Sequence, residues 1–301
     1  MPYSYLLHSV LRGKWFIDFR AIEASGLVIH QLLGGRFTPG AELKTDKEPL
    51  KVCMLGASAD GKGNQPGGKP EEDKIALVPL HGVMLKYTTE CDYGTDAVAD
   101  AIRKAAVRKD VSGILLDIDS GGGAVDAIAP ITDAIRFAQS LDKPVVAYCD
   151  LCASAAYYAA VYCDSIIAGN TISSEFGSIG VMMQFMDYAK YYDNLGIKEH
   201  IIYSDLSEYK NDAYEAARKG EYDLVKKEML NPLALNFQEV VKTRRGDVLQ
   251  AGAKGILSGK MFYAESALKN GLIDGIGNLD FAMDRVYEIR RDKIINNYAK
   301  S

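Results

Sequence analysis

From Ile75 onward, short apolar runs alternate with stretches of helical period, and this alternation limits the fold more than any other feature of the chain. IALVPLHGV (from Ile75), GILLDI (from Gly113) and PVVAYC (from Pro144) have the length and composition of buried strands. Between them, TDAVADAIRKAAVR puts Val98, Ile102 and Ala105 on one helical face. DAIAPITDAIRFAQSL puts Ile128, Ile131, Ile135 and Ala138 on another, with Pro130 in its early turns. The small, aromatic run from Ser154 to Val161 suits a closely packed helix. SIIAG, GVMMQF and KEHIIY extend the strand series, with a helical stretch over Met186–Leu195. Beyond Ala213 the pattern is mostly helical and closes on a strand–helix unit over Ile273–Ile289. Strands separated by helices of this length require right-handed crossovers and a largely parallel sheet, so the expected class is α/β.

Residues 1–74 stand apart. The segment Gly56–Glu72 is rich in Gly, Pro and Lys and nearly empty of large apolar residues, which marks a linker or long surface loop. The expected organisation is an N-terminal extension with linker over 1–74 and a main domain over 75–301. Within the linker, Gly63 to Lys69 has the spacing of a phosphate-binding loop. Pro70 follows, where a magnesium-binding hydroxyl is needed, and no helix pattern comes next. Nucleotide binding is therefore rejected.

The 301 residues carry 35 basic and 40 acidic side chains, which excludes the concentrated positive charge of a nucleic-acid binder. No run reaches the roughly 18 apolar residues of a membrane span, and the first residues lack the pattern of a signal peptide. A cytoplasmic protein without a membrane anchor is expected. The five cysteines (Cys53, Cys91, Cys149, Cys152, Cys163) form no disulfide framework. Cys149 and Cys152 make a C-x-x-C pair without two further ligands at zinc spacing, and are read as small apolar residues at a strand–helix junction. No metal and no cofactor is expected.

Two strand ends have unusual chemistry, and in parallel α/β folds functional groups gather at such junctions. After GILLDI comes Asp119-Ser120-Gly121-Gly122-Gly123-Ala124. Glycines let the backbone approach a ligand and turn N–H groups toward an anion, although a plain tight turn has the same composition. After PVVAYC comes Asp150-Leu151-Cys152-Ala153-Ser154-Ala155-Ala156. A serine there is either a helix cap or a nucleophile beside free N–H groups.

The motifs in order decide between these readings. IALVPLHGV, DSGGG, CASAAYYAA, FGSIGVMM, LGIKEHIIYSDLSEYKND and KMFYAESALKNGLIDGIGNLDFAMD together resemble the signal peptide peptidase A family of serine peptidases, and more distantly the Clp protease and crotonase fold. The resemblance implies a Clp/crotonase-like α/β fold of repeated β-β-α units. It also implies hydrolysis of peptide bonds by a Ser–Lys dyad, with no cofactor. Matching motif by motif puts the nucleophile at Ser154 and the lysine in Ser204–Lys210, at Lys210. That loop is two residues longer than the family's and lacks its Gly and His; Lys198 and Lys219 are the substitutes. Backbone N–H groups of Gly122 or Gly123, with Ala155, would form the oxyanion hole, and Gly121 stands where the family usually has Pro.

A Ser–Lys dyad needs an amine that is neutral near pH 7, which burial favours by lowering a lysine pKa from about 10.4. Such an amine can take the serine's proton and later pass it to the leaving group. No histidine is required, and the four present (His8, His30, His81, His200) suggest no triad. Ser207-Glu208-Tyr209-Lys210 also fits the S-x-x-K of penicillin-binding enzymes, but the companion S-D-N and K-T-G elements are missing.

Within the resembling family, membrane-anchored members degrade signal peptides, and phage-encoded members process capsid scaffold proteins. The ASAAYY segment resembles the phage branch. The expectation is a protease acting on polypeptide substrates in a bacterial host's cytoplasm or within phage proheads, assembled as a ring-shaped homo-oligomer. Three alternatives stay open: a soluble housekeeping peptidase, a non-catalytic capsid-assembly scaffold, and a crotonase-like enzyme acting on acyl-CoA thioesters.

Overall fold

Strand β4 (Val111–Ser120) is buried along nearly its whole length, as expected of a parallel strand covered on both faces. It lies between β3 (Lys74–His81) and β6 (Val145–Ala153), and both pairings are parallel. Residues 51–56, 73–88, 93–185 and 189–299 are described by the computed structural model, together with the backbone of 15–17. The phosphate-loop-like run Gly63–Lys69, Cys91, His8 and His30 lie outside the described residues.

Those backbone residues form β1 (Trp15–Ile17), and β2 is Cys53–Gly56. β5 (Gly122–Ala124), β7 (Ser165–Ala168), β8 (Glu175–Gly177), β9 (Met261–Tyr263) and β10 (Gly275–Ile276) complete the strands. The main sheet runs β10-β7-β6-β4-β3-β2, parallel except for β2 at one edge. β8 adds in parallel to the last residues of β6, and β9 pairs antiparallel with β8. The expected α/β class with a mainly parallel sheet is what the chain forms.

Pro79 lies inside β3 and has no N–H to donate. β2 reaches only as far as Leu77 along that side, so the missing donor falls where β3 has no second neighbour.

Helices α1 (Thr95–Ala106) and α2 (Ile128–Ser140) cover one face of the sheet. Ile131, Ile135 and Ala138 of α2 have no solvent exposure, and each buried isoleucine stabilises by about 1.5–3 kcal/mol. On the same side sits α3 (Ala155–Ala160). Further helices among the described residues include α4 (Ala189–Asn194), α5 (Asp212–Arg218), α6 (Asn231–Arg245, entered through the helical turns Asp223–Val225 and Lys226–Leu230) and α7 (Ala264–Lys269). The last helix, α8 (Leu279–Tyr298), covers the opposite face, placing Ala282 and Val286 against Ile75, Leu115, Val146 and Ile167. Its first turn is capped by the Asn278 side chain, which accepts from the Phe281 N–H at 3.0 Å.

The strand series is shorter than the sequence pattern predicts. KEHIIY forms no strand and GVMMQF no continuous one, and Met186 to Tyr188 lie outside the described residues. Residues 189–211 instead form α4 and a run of turns, exposed throughout except at half-buried Ser207.

Candidate active site

The β4–β6 pairing carries an irregularity where the two candidate motifs meet. Ile118 pairs with Cys149, but Ser120 pairs with Cys152, so β6 holds one extra residue at this point. Such bulges re-aim the chain near functional sites. One residue after β6 ends, Ser154 adopts φ +53° and ψ −116°, a conformation that costs a non-glycine residue about 1–3 kcal/mol. The turn is held on both sides. The Ser154 N–H donates to the Gly177 carbonyl at 2.9 Å, and the Ser154 carbonyl accepts from the Tyr158 N–H at 2.9 Å. The side chain makes no cap bond to α3, and among the described residues the hydroxyl makes no hydrogen bond. A serine serving only as a helix cap would use that oxygen.

Small residues and one anchored aromatic fix what surrounds Ser154. Cys152 through Tyr157 are all buried. The Tyr157 hydroxyl donates to the Leu272 carbonyl at 2.7 Å, and burial pushes its pKa far up, so it stays a neutral anchor. Burial also pushes the Cys149 thiol well up, with the Cys152 side chain adding to the effect. Both cysteines sit in the core with no exposure, which agrees with their reading as small apolar residues.

The glycine turn lies beside α3. Ser120 ties it down: its hydroxyl donates to the Gly82 carbonyl at 2.6 Å and accepts from the Gly122 N–H at 3.2 Å. Gly122 has φ +99°, which only glycine adopts without strain. At Gly123 the constraint is space, because a Cβ would lie 2.0 Å from the Met84 carbonyl oxygen. Met84 donates to the Gly122 carbonyl and accepts from the Ala124 N–H, both at 2.9 Å. Backbone groups alternate along a strand, so the N–H and C=O of Gly123 face the other edge. Among the described residues no partner accepts from the Ala155 N–H. Ser120 was not singled out from the sequence; a short hydroxyl directly before a glycine turn is the signal that could have found it.

The lysine candidates are all exposed. Lys210 is exposed at the end of two successive turns, its N–H donating to the Ser207 carbonyl at 3.0 Å. Among the described residues its amine makes no hydrogen bond or ion pair, to Ser154 or any other group. Lys198 and Lys219 are exposed too. Ser207 and Lys210 share a turn rather than a helix, which removes the geometry of the S-x-x-K alternative. His81, at the end of β3, meets the Asp117 carboxylate at 2.9 Å. The single chain thus brings Ser154 and Ala155 beside Gly122 and Gly123, and makes no bond from the Lys210 amine to any of them.

Residues 138–291, just over half of the chain, match the profile of Peptidase family S49. The chain belongs to that family. The matched span includes both Ser154 and Lys210. The chain is 26% identical to "Protease 4" of Haemophilus influenzae, over 95% of this chain and 48% of that protein. It is 30% identical to "Head-tail preconnector protein GP5" of Enterobacteria phage P21, over 83% of this chain and 51% of that protein. It is 28% identical to "Capsid assembly protease C" of Escherichia phage lambda, over 56% of this chain and 39% of that protein. The chain spans about half the length of the first two relatives. Family membership agrees with the motif reading, and the relatives include both a cellular protease and phage proteins. No helix among the described residues is long and apolar enough to cross a membrane.

Proposed function

We propose that this S49 chain is a serine endopeptidase in which Ser154 attacks the scissile carbonyl and Lys210 is the general base. The observation that carries this reading is the strained Ser154 turn, whose hydroxyl is not spent on capping and which lies beside the glycine turn. In the proposed cycle the Lys210 amine takes the Ser154 proton as Oγ bonds to the carbonyl carbon. Collapse of the tetrahedral adduct expels the amine product, which leaves with that proton. Water, deprotonated by the same lysine, then hydrolyses the acyl-enzyme and regenerates the serine. The developing oxyanion would be met by the Ala155 N–H and by Gly122 or Gly123. Gly123 is favoured, because the Gly122 N–H already donates to Ser120.

The dyad requires Lys210 to reach Ser154 out of water, and a second copy of the chain is the proposed source of that lysine. Between Tyr191 and Tyr209, the exposed side chains include Leu195, Ile197, Ile202 and Leu206, the last two 91% and 97% exposed. An apolar surface of this kind marks an interaction site. A homo-oligomer, ring-shaped as the family resemblance implies, would bury this arm and deliver its lysine. The proposed substrates are polypeptides, and the two phage relatives support capsid-associated proteins as their class. The domain division into a 1–74 extension and a 75–301 peptidase domain belongs to the same proposal. A non-catalytic assembly role is the second reading, favoured by the exposed Lys210 amine, which makes no hydrogen bond or ion pair among the described residues.

A fluorophosphonate probe separates the two. Wild type should be labelled on Ser154, with Ser154→Ala unlabelled and Lys210→Ala slowed by roughly a thousandfold or more. Absence of labelling in the assembled wild type would favour the scaffold.

A further inference from the structure

We propose that the chain's own N-terminal strand, Trp15–Ile17, occupies the edge on which a substrate strand is bound, and so acts as an internal competitor for substrate. This rests on the catalytic reading above and adds to it the place where the peptide lies. β1 pairs antiparallel with β5, in the register Trp15 to Ala124, Phe16 to Gly123 and Ile17 to Gly122. Met84 already uses the Gly122 carbonyl and the Ala124 N–H on one side of β5. The free backbone groups on the other side are therefore those of Gly123, and they face Phe16 as the hydrogen-bonded pair of the ladder. The N–H favoured as an oxyanion donor is thus turned toward a peptide group of the same chain.

Two further observations agree. β1 also approaches α3, the helix that follows Ser154. Ser154 is only 1% exposed, so a substrate carbonyl cannot reach it until whatever covers it moves. Extended peptides commonly bind by adding a strand to an open sheet edge, with main-chain hydrogen bonds supplying affinity. β5 offers one short edge of that kind, and a strand from residues 1–74 lies on it. A substrate must displace that strand before it can pair with Gly123.

The test uses the full 301-residue chain and two readouts: the rate of fluorophosphonate labelling, and binding of a fluorescent peptide of sequence VLRGKWFIDFRAI. Phe16→Pro removes the N–H that faces Gly123. If β1 is docked about nine-tenths of the time, this variant should raise both readouts roughly tenfold. Should Phe16→Pro fail to fold, the double variant Trp15→Cys, Ala124→Cys decides. These residues form the non-hydrogen-bonded pair, whose short Cα separation suits a disulfide. Oxidation should block both readouts, and reductant should restore them. The proposal is overturned if the peptide binds wild type as well as Phe16→Pro, or if the cross-linked form labels and binds as the reduced form does. Peptide binding that follows the expected order, with Ser154 labelled in no variant, would sink the catalytic reading and leave the strand-edge assignment standing.

Discussion

Residues 145–160 and residues 189–211 treat water in opposite ways. In the first stretch β6 and α3 are almost wholly buried, and they hold Ser154 in a strained turn against Gly177. The second is exposed throughout except at Ser207, and it leads to Lys210. One half of the proposed dyad is thus built by the fold of a single chain. The other sits on an apolar arm that this chain does not cover. A strained backbone persists only where packing over-determines it, and the small residues around Ser154 provide that packing. In the proposed assembly a second copy of the chain would cover the exposed apolar side chains of this arm.

The largest expected effect on this contrast comes from Gly123→Ala. The new Cβ would meet the Met84 carbonyl oxygen, and overpacking against backbone should cost about 3 kcal/mol, read as a lower denaturant midpoint. A stability close to wild type would mean that the glycine turn is looser than the contact implies. A smaller effect, of opposite sign, is expected at the proposed nucleophile. Ser154→Gly should be more stable than Ser154→Ala by roughly 1 kcal/mol, since glycine tolerates φ +53° while alanine keeps the strain. Both variants should lack activity, and equal midpoints would remove strain from the account. The smallest stability effect is expected in the arm. Leu206→Ala should change the midpoint by no more than about 0.5 kcal/mol, because the side chain is 97% exposed. The same variant should shift sedimentation toward the monomer, and an unchanged assembly would count against the arm as an interface.

Much of the buried half was legible in the sequence. The stripe Ile128, Ile131, Ile135 and Ala138 is the buried face of α2, and GILLDI is the interior of β4. The junction residues Ser120–Ala124 and Ser154–Ala156 fall beside one another because β4 and β6 are neighbours in a parallel sheet, which the strand–helix alternation already required. KEHIIY departs from its expected strand for a physical reason. A run of apolar residues records only that water must be excluded, and it cannot say whether a sheet or another molecule does the excluding. Ile201 and Ile202 remain exposed here, so the period predicted a strand that the fold does not make. Lys210 could be placed on a loop after that run, but its relation to Ser154 could not be read from spacing.

The sequence by itself determined the α/β class, the order of elements from β3 to α3, and the two glycine- and alanine-rich junctions at which chemistry could occur. These follow from local periodicity and from the small size of glycine and alanine, and both are properties of short segments. Only the tertiary structure decided that Ser154 bends to a positive φ, that Ser120 takes the Gly122 N–H, and that Trp15–Ile17 pairs along β5. Each of these depends on groups distant in the chain meeting across a sheet, and which residues oppose each other there is set by register and packing rather than by local composition.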